Sequence, residues 1–173
     1  MPQLIKNRVL AEDRWTLVRE ADAAMPAGPA IVPLATWKAL RNALLARGDV
    51  GVWLAPADDP AELADDLPRI PLVAVDFPQF ADGRGYSTAR LLRQRHGFGG
   101  ELRAIGDIQR DQLAYLAQCG FDAFAIRDGK DARDALAGLN DFSDGYQLTE
   151  GRLPWFRRRA YAAAVAGSRA VVE

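Results

Sequence analysis

Residues 71–77, Pro-Leu-Val-Ala-Val-Asp-Phe, form a near-continuous apolar run that ends in an acid and is followed by a polar loop. An apolar run without alternation suits a strand buried on both faces, and such strands belong to parallel sheets. The same rhythm recurs on either side. Ala30-Ile-Val-Pro-Leu is a short apolar run, after which Thr36 can N-cap a helix with Trp37, Leu40 and Leu44 on one stripe, ended by Gly48. Val50-Gly-Val-Trp-Leu reads as a strand. Asp59-Pro-Ala-Glu62 combines an N-cap acid, proline at the first helical position and Glu at the third, and Pro68 stops that short helix.

Downstream, Ser87 can cap a helix with Leu91 and Leu92 inward and Arg90, Arg93 and Arg95 mostly outward, broken by His96-Gly-Phe-Gly-Gly. Leu102 to Gly106 is the next strand. Asp107 can cap a helix bearing Ile108, Leu113 and Leu116, with Gly120 at its end. Asp122-Ala-Phe-Ala-Ile is a further strand, and a last helix runs from about Asp131 to Leu139. Strand and helix thus alternate about five times at spacings of ~20–30 residues, the signature of an α/β fold with about five βα units and a mainly parallel sheet. The chain has 173 residues. That is below the ~200 at which complete (β/α)₈ barrels begin, so an open sheet and a partial barrel both fit.

Ahead of this core, residues 4–10 and 15–18 read as two short strands around the polar turn Ala11-Glu-Asp-Arg, an N-terminal hairpin within residues 3–18. The expected organisation is one α/β domain over 1–147, its βα core at 30–140. A tail follows over 148–173, with a short Ala-rich helix.

Composition narrows the chemistry. Lys and Arg total 22 against 23 Asp and Glu, a formal net charge of -1, which argues against a dedicated nucleic-acid binder. A single Cys (Cys119) excludes an intramolecular disulfide framework and a cysteine-ligated cluster, and a single His (His96) excludes a multi-histidine metal site within one chain. Cys119 reads as a buried core thiol and His96 as a helix C-terminal residue. No stretch approaches the ~20 apolar residues of a membrane span, and the N-terminus lacks an apolar leader core, so a cytoplasmic protein is expected.

In parallel α/β architectures, ligands meet the loops at the carboxyl ends of strands. If the strands are neighbours, Asp76, Asp82, Arg84, Tyr86, Ser87, Asp107, Arg110 and Arg127 share one rim. Asp82-Gly83-Arg84-Gly85-Tyr86-Ser87 is its most suggestive loop. Its glycines bring the backbone close, Arg84 offers a two-pronged donor, and a helix follows, which together suit a small oxyanion. The competing reading is a tight turn whose arginine pairs with Asp76 or Asp107. Those two acids are the candidate catalytic bases, although Asp107 reads more simply as a bare N-cap. No set of acids has diagnostic metal spacing. Trp155-Phe156-Arg157-Arg158-Arg159 suits a docking arm for an acidic partner, or a tail whose aromatics pack on the domain.

At Phe80-Ala-Asp-Gly-Arg-Gly-Tyr-Ser, and again at Ala89-Arg-Leu-Leu-Arg, Gly100-Glu-Leu-Arg-Ala-Ile-Gly-Asp, Arg110-Asp-Gln and Cys119-Gly-Phe-Asp-Ala-Phe, the chain resembles domain-of-unknown-function family 934. The resemblance covers roughly residues 30–147, and its motif positions here are Asp82, Gly83, Arg84, Gly85, Tyr86, Ser87, Gly106, Asp107, Arg110 and Asp111. Members are described as oxidoreductases of sulfite reduction and are encoded beside the haem-containing assimilatory sulfite reductase. The resemblance implies a pathway and carries no established catalytic residue. Reducing sulfite takes several electrons, and this chain offers no cluster ligand set, no CxxC pair and no dinucleotide loop. No cofactor is therefore expected.

Three readings follow. The first is an accessory or adaptor protein that binds the sulfite reductase haemoprotein or its electron donor. The second is a small α/β enzyme holding an anionic metabolite at the Asp82–Ser87 loop, with Asp76 or Asp107 as proton acceptor. The third is a flavin-dependent redox subunit. A homodimer would cover the sheet edges that an incomplete barrel leaves open.

Overall fold

The computed structural model describes residues 3–21, 23–127 and 129–139. Eight strands form one sheet in the order β2-β1-β8-β7-β6-β5-β4-β3, curled into a half-barrel. The strands are β1 (Gln3–Lys6), β2 (Val9–Glu12), β3 (Thr16–Leu17), β4 (Ala30–Pro33), β5 (Val50–Leu54), β6 (Leu72–Phe77), β7 (Glu101–Gly106) and β8 (Ala123–Ala125). From β3 to β8 every pair is parallel, and β1 alone runs the other way, antiparallel to both β2 and β8.

From β3 to β8 the strands stand side by side in chain order, so successive crossovers advance in one direction. Right-handed crossovers of that kind put their helices on one face of the sheet. That face carries the main core, where Val52, Val75, Phe77, Ala104 and Phe124 meet Trp37, Leu63, Leu92, Leu113 and Leu116. A smaller cluster of Ile31, Leu72, Ala74 and Ile105, flanked by Trp15, Leu17 and Trp53, lines the other, concave face. Every residue of β6 is buried, as its unbroken apolar run requires.

The helices begin elsewhere than the capping patterns suggest. α1 (Leu34–Arg47) starts two residues before Thr36, whose hydroxyl instead donates to the Ala21 carbonyl at 3.1 Å. Trp37 and Leu44 are buried, but the helix breaks its regular geometry at Leu40, which is 49% exposed. Gly48 closes it in the left-handed region, as read. Asp59 caps the short 3-10 turn Pro60–Leu63 by accepting from the Ala61 N–H. α2 (Arg84–Arg90) begins at Gly83, so Ser87 lies inside the helix and not at its cap. It continues into a π-helical turn over Leu91–Arg95 that His96 ends.

That wider turn rotates Leu91 outward while Leu92 stays buried, and it brings Arg93 in. The Arg93 guanidinium donates to the carbonyls of Phe98, Gly100 and Gly120 and to Asp122. Burial pushes the Asp122 carboxyl up, against the nearby Arg93 charge and the hydrogen bond from the Leu102 N–H. Asp107 caps no helix. The 3-10 turn Arg110–Gln112 leading into α3 (Leu113–Gln118) has Gln109 before it, whose N–H donates to Gln112 Oε1 at 3.0 Å. Asp131 caps α4 (Ala132–Gly138), and Cys119 is buried in the main core.

The N-terminal hairpin is present but shorter than expected. Asn7 and Arg8 both take positive φ, 50° and 65°, and turn the chain between β1 and β2. Two consecutive left-handed residues match the twist of paired strands, and Asn tolerates that region better than most residues. Thr16–Leu17 does not belong to the hairpin. It crosses to the opposite edge of the sheet and pairs parallel with β4. The tail over 148–173, its Ala-rich segment and Trp155 to Arg159 lie outside the described residues.

Candidate functional site

The carboxyl ends of β6, β7 and β8 open at one mouth of the half-barrel. Asp76 and Phe77 close β6, Gly106 and Asp107 close β7, and Arg127 follows β8. Arg19 reaches the same mouth from the segment after β3. Arg19, Asp76, Pro78, Gly106, Asp107 and Arg127 line a cavity of about 390 Å³.

Its charged groups are organised as two pairs. Arg19 Nη1 donates to Asp76 Oδ1 at 2.8 Å, and Arg127 Nη1 donates to Asp107 Oδ1 at 3.0 Å. The acids are the more sheltered partners, with side chains 11% and 24% exposed. The Arg19 guanidinium also lies over the Trp53 ring, 5.5 Å from its centroid, and Trp53 Nε1–H is held by the Val18 carbonyl at 2.9 Å. One arginine is therefore anchored by both a carboxylate and a ring face.

Gly106 makes this geometry accessible to the backbone. It sits at φ +99°, where a Cβ would fall on the Phe77 carbonyl. The next N–H, that of Asp107, donates to that same carbonyl at 2.7 Å. The strand ends are thus pinned together while Asp107 turns to Arg127.

Behind the mouth, a second cavity of about 610 Å³ follows the concave face and shares Arg19, Gly106 and Arg127 with the first. Its depth holds a buried ionic network. Arg103, 1% exposed, donates through Nη1 to both oxygens of Asp13 at 2.9 Å and through Nε to Glu101 at 2.7 Å, while Lys6 reaches Glu101 at 2.7 Å. Two cations face two anions, so the charges compensate within the network.

Of the eight residues expected on one rim, the structure brings Asp76, Asp107 and Arg127 together in the mouth cavity. The others do not line it. Arg84 pairs with neither Asp76 nor Asp107; its Nε and Nη2 donate to Asp82 at 3.0 and 2.7 Å. Those hydrogen bonds from the Arg84 side chain and backbone hold the Asp82 carboxyl below its ordinary range. The arginine is already engaged two residues away by an acid that shares its loop. Gly85 is buried against the Phe77 ring, and Ser87 is exposed. Tyr86 packs edge-on against Phe77 and beside Tyr115, and its hydroxyl accepts from Gln112 Nε2 at 3.2 Å. Burial pushes that phenol up. Arg110 pairs with Asp134 at 2.9 Å and lines a separate hollow with Asp131 and Lys130.

Sequence reasoning missed Arg19, Trp53, Asp13 and Arg103. Arg19 meets Asp76 across 57 positions, with no local pattern to announce it. Arg103 had a usable signal, since a cation in the middle of a strand that must be buried demands a buried partner.

The family model described as bacterial protein of unknown function (DUF934) matches residues 51–156, more than half of the chain. The chain is a DUF934 protein. The matched span runs from within β5 through β8 and so holds Asp76, Gly106, Asp107 and Arg127, while Arg19 and Asp13 precede it. It also extends past residue 147 to take in Trp155 and Phe156 of this DUF934 chain. No curated protein matches it. Among the described residues, no group of three or more His, Cys, Asp or Glu is placed to hold a metal ion, and no helix is long and apolar enough to cross a membrane.

Proposed function

We propose that this DUF934 protein is an accessory protein of assimilatory sulfite reduction, acting beside the haem-containing sulfite reductase or its electron donor. The pathway comes from the family resemblance carried by the Asp82–Ser87 loop and its companion motifs. The observation that supports a binding role over a catalytic one is the pairing of both candidate bases. Asp76 and Asp107 each accept from an arginine, so neither is presented to a substrate as a lone proton acceptor. Paired charges of both signs at one mouth instead suit recognition of a polar partner, where complementarity sets register and on-rate. Trp155, Phe156 and Arg157 to Arg159 supply aromatic anchors flanked by positive charge as a second contact.

The experiment is affinity capture of the full chain from its native host grown on sulfate, with mass spectrometry and an absorption spectrum of the eluate. Co-elution of the reductase with its haem colour is expected, and removal of residues 152–173 should weaken it. A chain that elutes alone and colourless contradicts the accessory reading and favours a small enzyme acting on an anionic metabolite. A yellow chain eluting alone would favour the flavin reading.

A further inference from the structure

A closed barrel fills its interior with inward side chains from every strand, whereas a half-barrel leaves its concave face open. Here that face holds the 610 Å³ cavity, within the range of small-molecule sites. Leu17, Ile31, Ile105, Ala125 and Ile126 give its lining an apolar share. Its charges balance in pairs, Arg19 with Asp76, Arg127 with Asp107, and Arg103 and Lys6 with Asp13 and Glu101, but at the mouth the arginines are the outward partners and the acids the sheltered ones. Arg103 is buried and satisfied by Asp13 and Glu101, so it gives the floor a fixed polar end. Arg19 and Arg127 stand at the mouth with side chains 47% and 58% exposed.

We propose that this basin binds a small organic oxyanion with an apolar body. The anionic group would sit between Arg19 and Arg127, with the body against Ile105 and Ala125. Each mouth arginine is tethered to its acid through Nη1. A guanidinium carries five N–H donors, so one tether orients the fork without exhausting it. Burying the apolar lining under a ligand body removes surface from water, while the arginines select for negative charge. This site is separate from the Asp82–Ser87 loop, whose arginine is engaged by Asp82, and its occupancy does not depend on any protein partner.

The test is calorimetry on the purified full chain with three probes: naphthalene-2-sulfonate, inorganic sulfate and neutral naphthalene-2-methanol. Naphthalene-2-sulfonate should bind at least tenfold more tightly than either of the others. Arg127→Gln, at an exposed position, should weaken it about tenfold or more, as expected for a lost charge-assisted contact. Ala125→Phe should abolish it by filling the basin while leaving both arginines in place. Circular dichroism checks that each variant is folded, and Arg19→Gln replaces either one that is not. Equal binding of sulfate would overturn the role of the apolar lining, and equal binding of the neutral probe would overturn that of the arginines. Binding unchanged in the folded variants, or absent from the unaltered chain, would overturn the site itself.

Discussion

Arg103 and Gly106 sit three residues apart on β7 and constrain the site in different ways. Gly106 holds a left-handed conformation where a Cβ would meet the Phe77 carbonyl, so Gly106→Ala combines backbone strain with a clash. We expect a loss of about 2–3 kcal/mol in urea unfolding. An equally stable variant would show that the β6 and β7 ends are not held as described. Arg103 is the larger risk. Arg103→Ala would strand Asp13 in a buried setting and leave Glu101 with Lys6 as its remaining cation, with an expected cost of about 3–5 kcal/mol. Arg103→Lys should recover only part of this, because an ammonium cannot reach both acids with a planar fork. Full recovery with lysine would mean that charge alone, without the fork, satisfies the network. At this scale the sequence disclosed Asp76 and Asp107 as strand-end acids and Arg127 as their neighbour. It concealed Arg19, whose pairing with Asp76 depends on how the third and sixth strands are laid into one sheet.

Secondary-structure elements were legible wherever burial dictates pattern. β4 to β8 fall where apolar runs predict them because each is covered by helices on one face and at least partly screened on the other. Helix starts were less legible, since a capping residue type fits many positions and tertiary contacts choose among them. Thr36 bonds Ala21, Ser87 lies within α2, and Asp107 serves Arg127. The π-helical turn after α2 shifted Leu91 and Arg93 relative to the simple helical stripe.

One interaction between elements has a pH signature. Asp66 accepts from Trp37 Nε1 at 2.9 Å and from Arg41, and so ties α1 to the short turns after β5. Burial pushes the Asp66 carboxyl up, but hydrogen bonds from Arg41 and Trp37, with the charges of Arg41 and Arg69, outweigh it and leave it below its ordinary value. The ionised form is therefore the one that stabilises the fold. Its contribution is present above about pH 4 and is lost as pH falls through the depressed folded value. Asp122, pushed up by burial, runs in the opposite sense, so the diagnostic is the difference between the native chain and Asp66→Asn. That difference in Tm should shrink on acidification below about pH 4. A difference independent of pH would show that the Asp66 contribution does not depend on its charge.

For the whole molecule, the α/β class and the mainly parallel sheet were readable from the alternation of βα units, but the choice between an open sheet and a half-barrel was not. Thr16–Leu17 reads as the return strand of a hairpin because short polar turns are common between strands. The Asn7-Arg8 turn takes that role instead, which frees β3 to extend the far edge and carry Arg19 to the mouth. The N-terminal twenty residues thereby supply both edges of the sheet and one of the two mouth arginines. We propose that the partner in sulfite reduction is met at that mouth.

The most direct measurement is growth of a strain lacking this gene on sulfite against growth on sulfide as sole sulfur source. We predict impaired growth on sulfite, normal growth on sulfide, and rescue by the native chain but not by the Arg19→Ala, Arg127→Ala double variant expressed to the same level. Equal growth on the two sulfur sources, or full rescue by the double variant, would contradict the account.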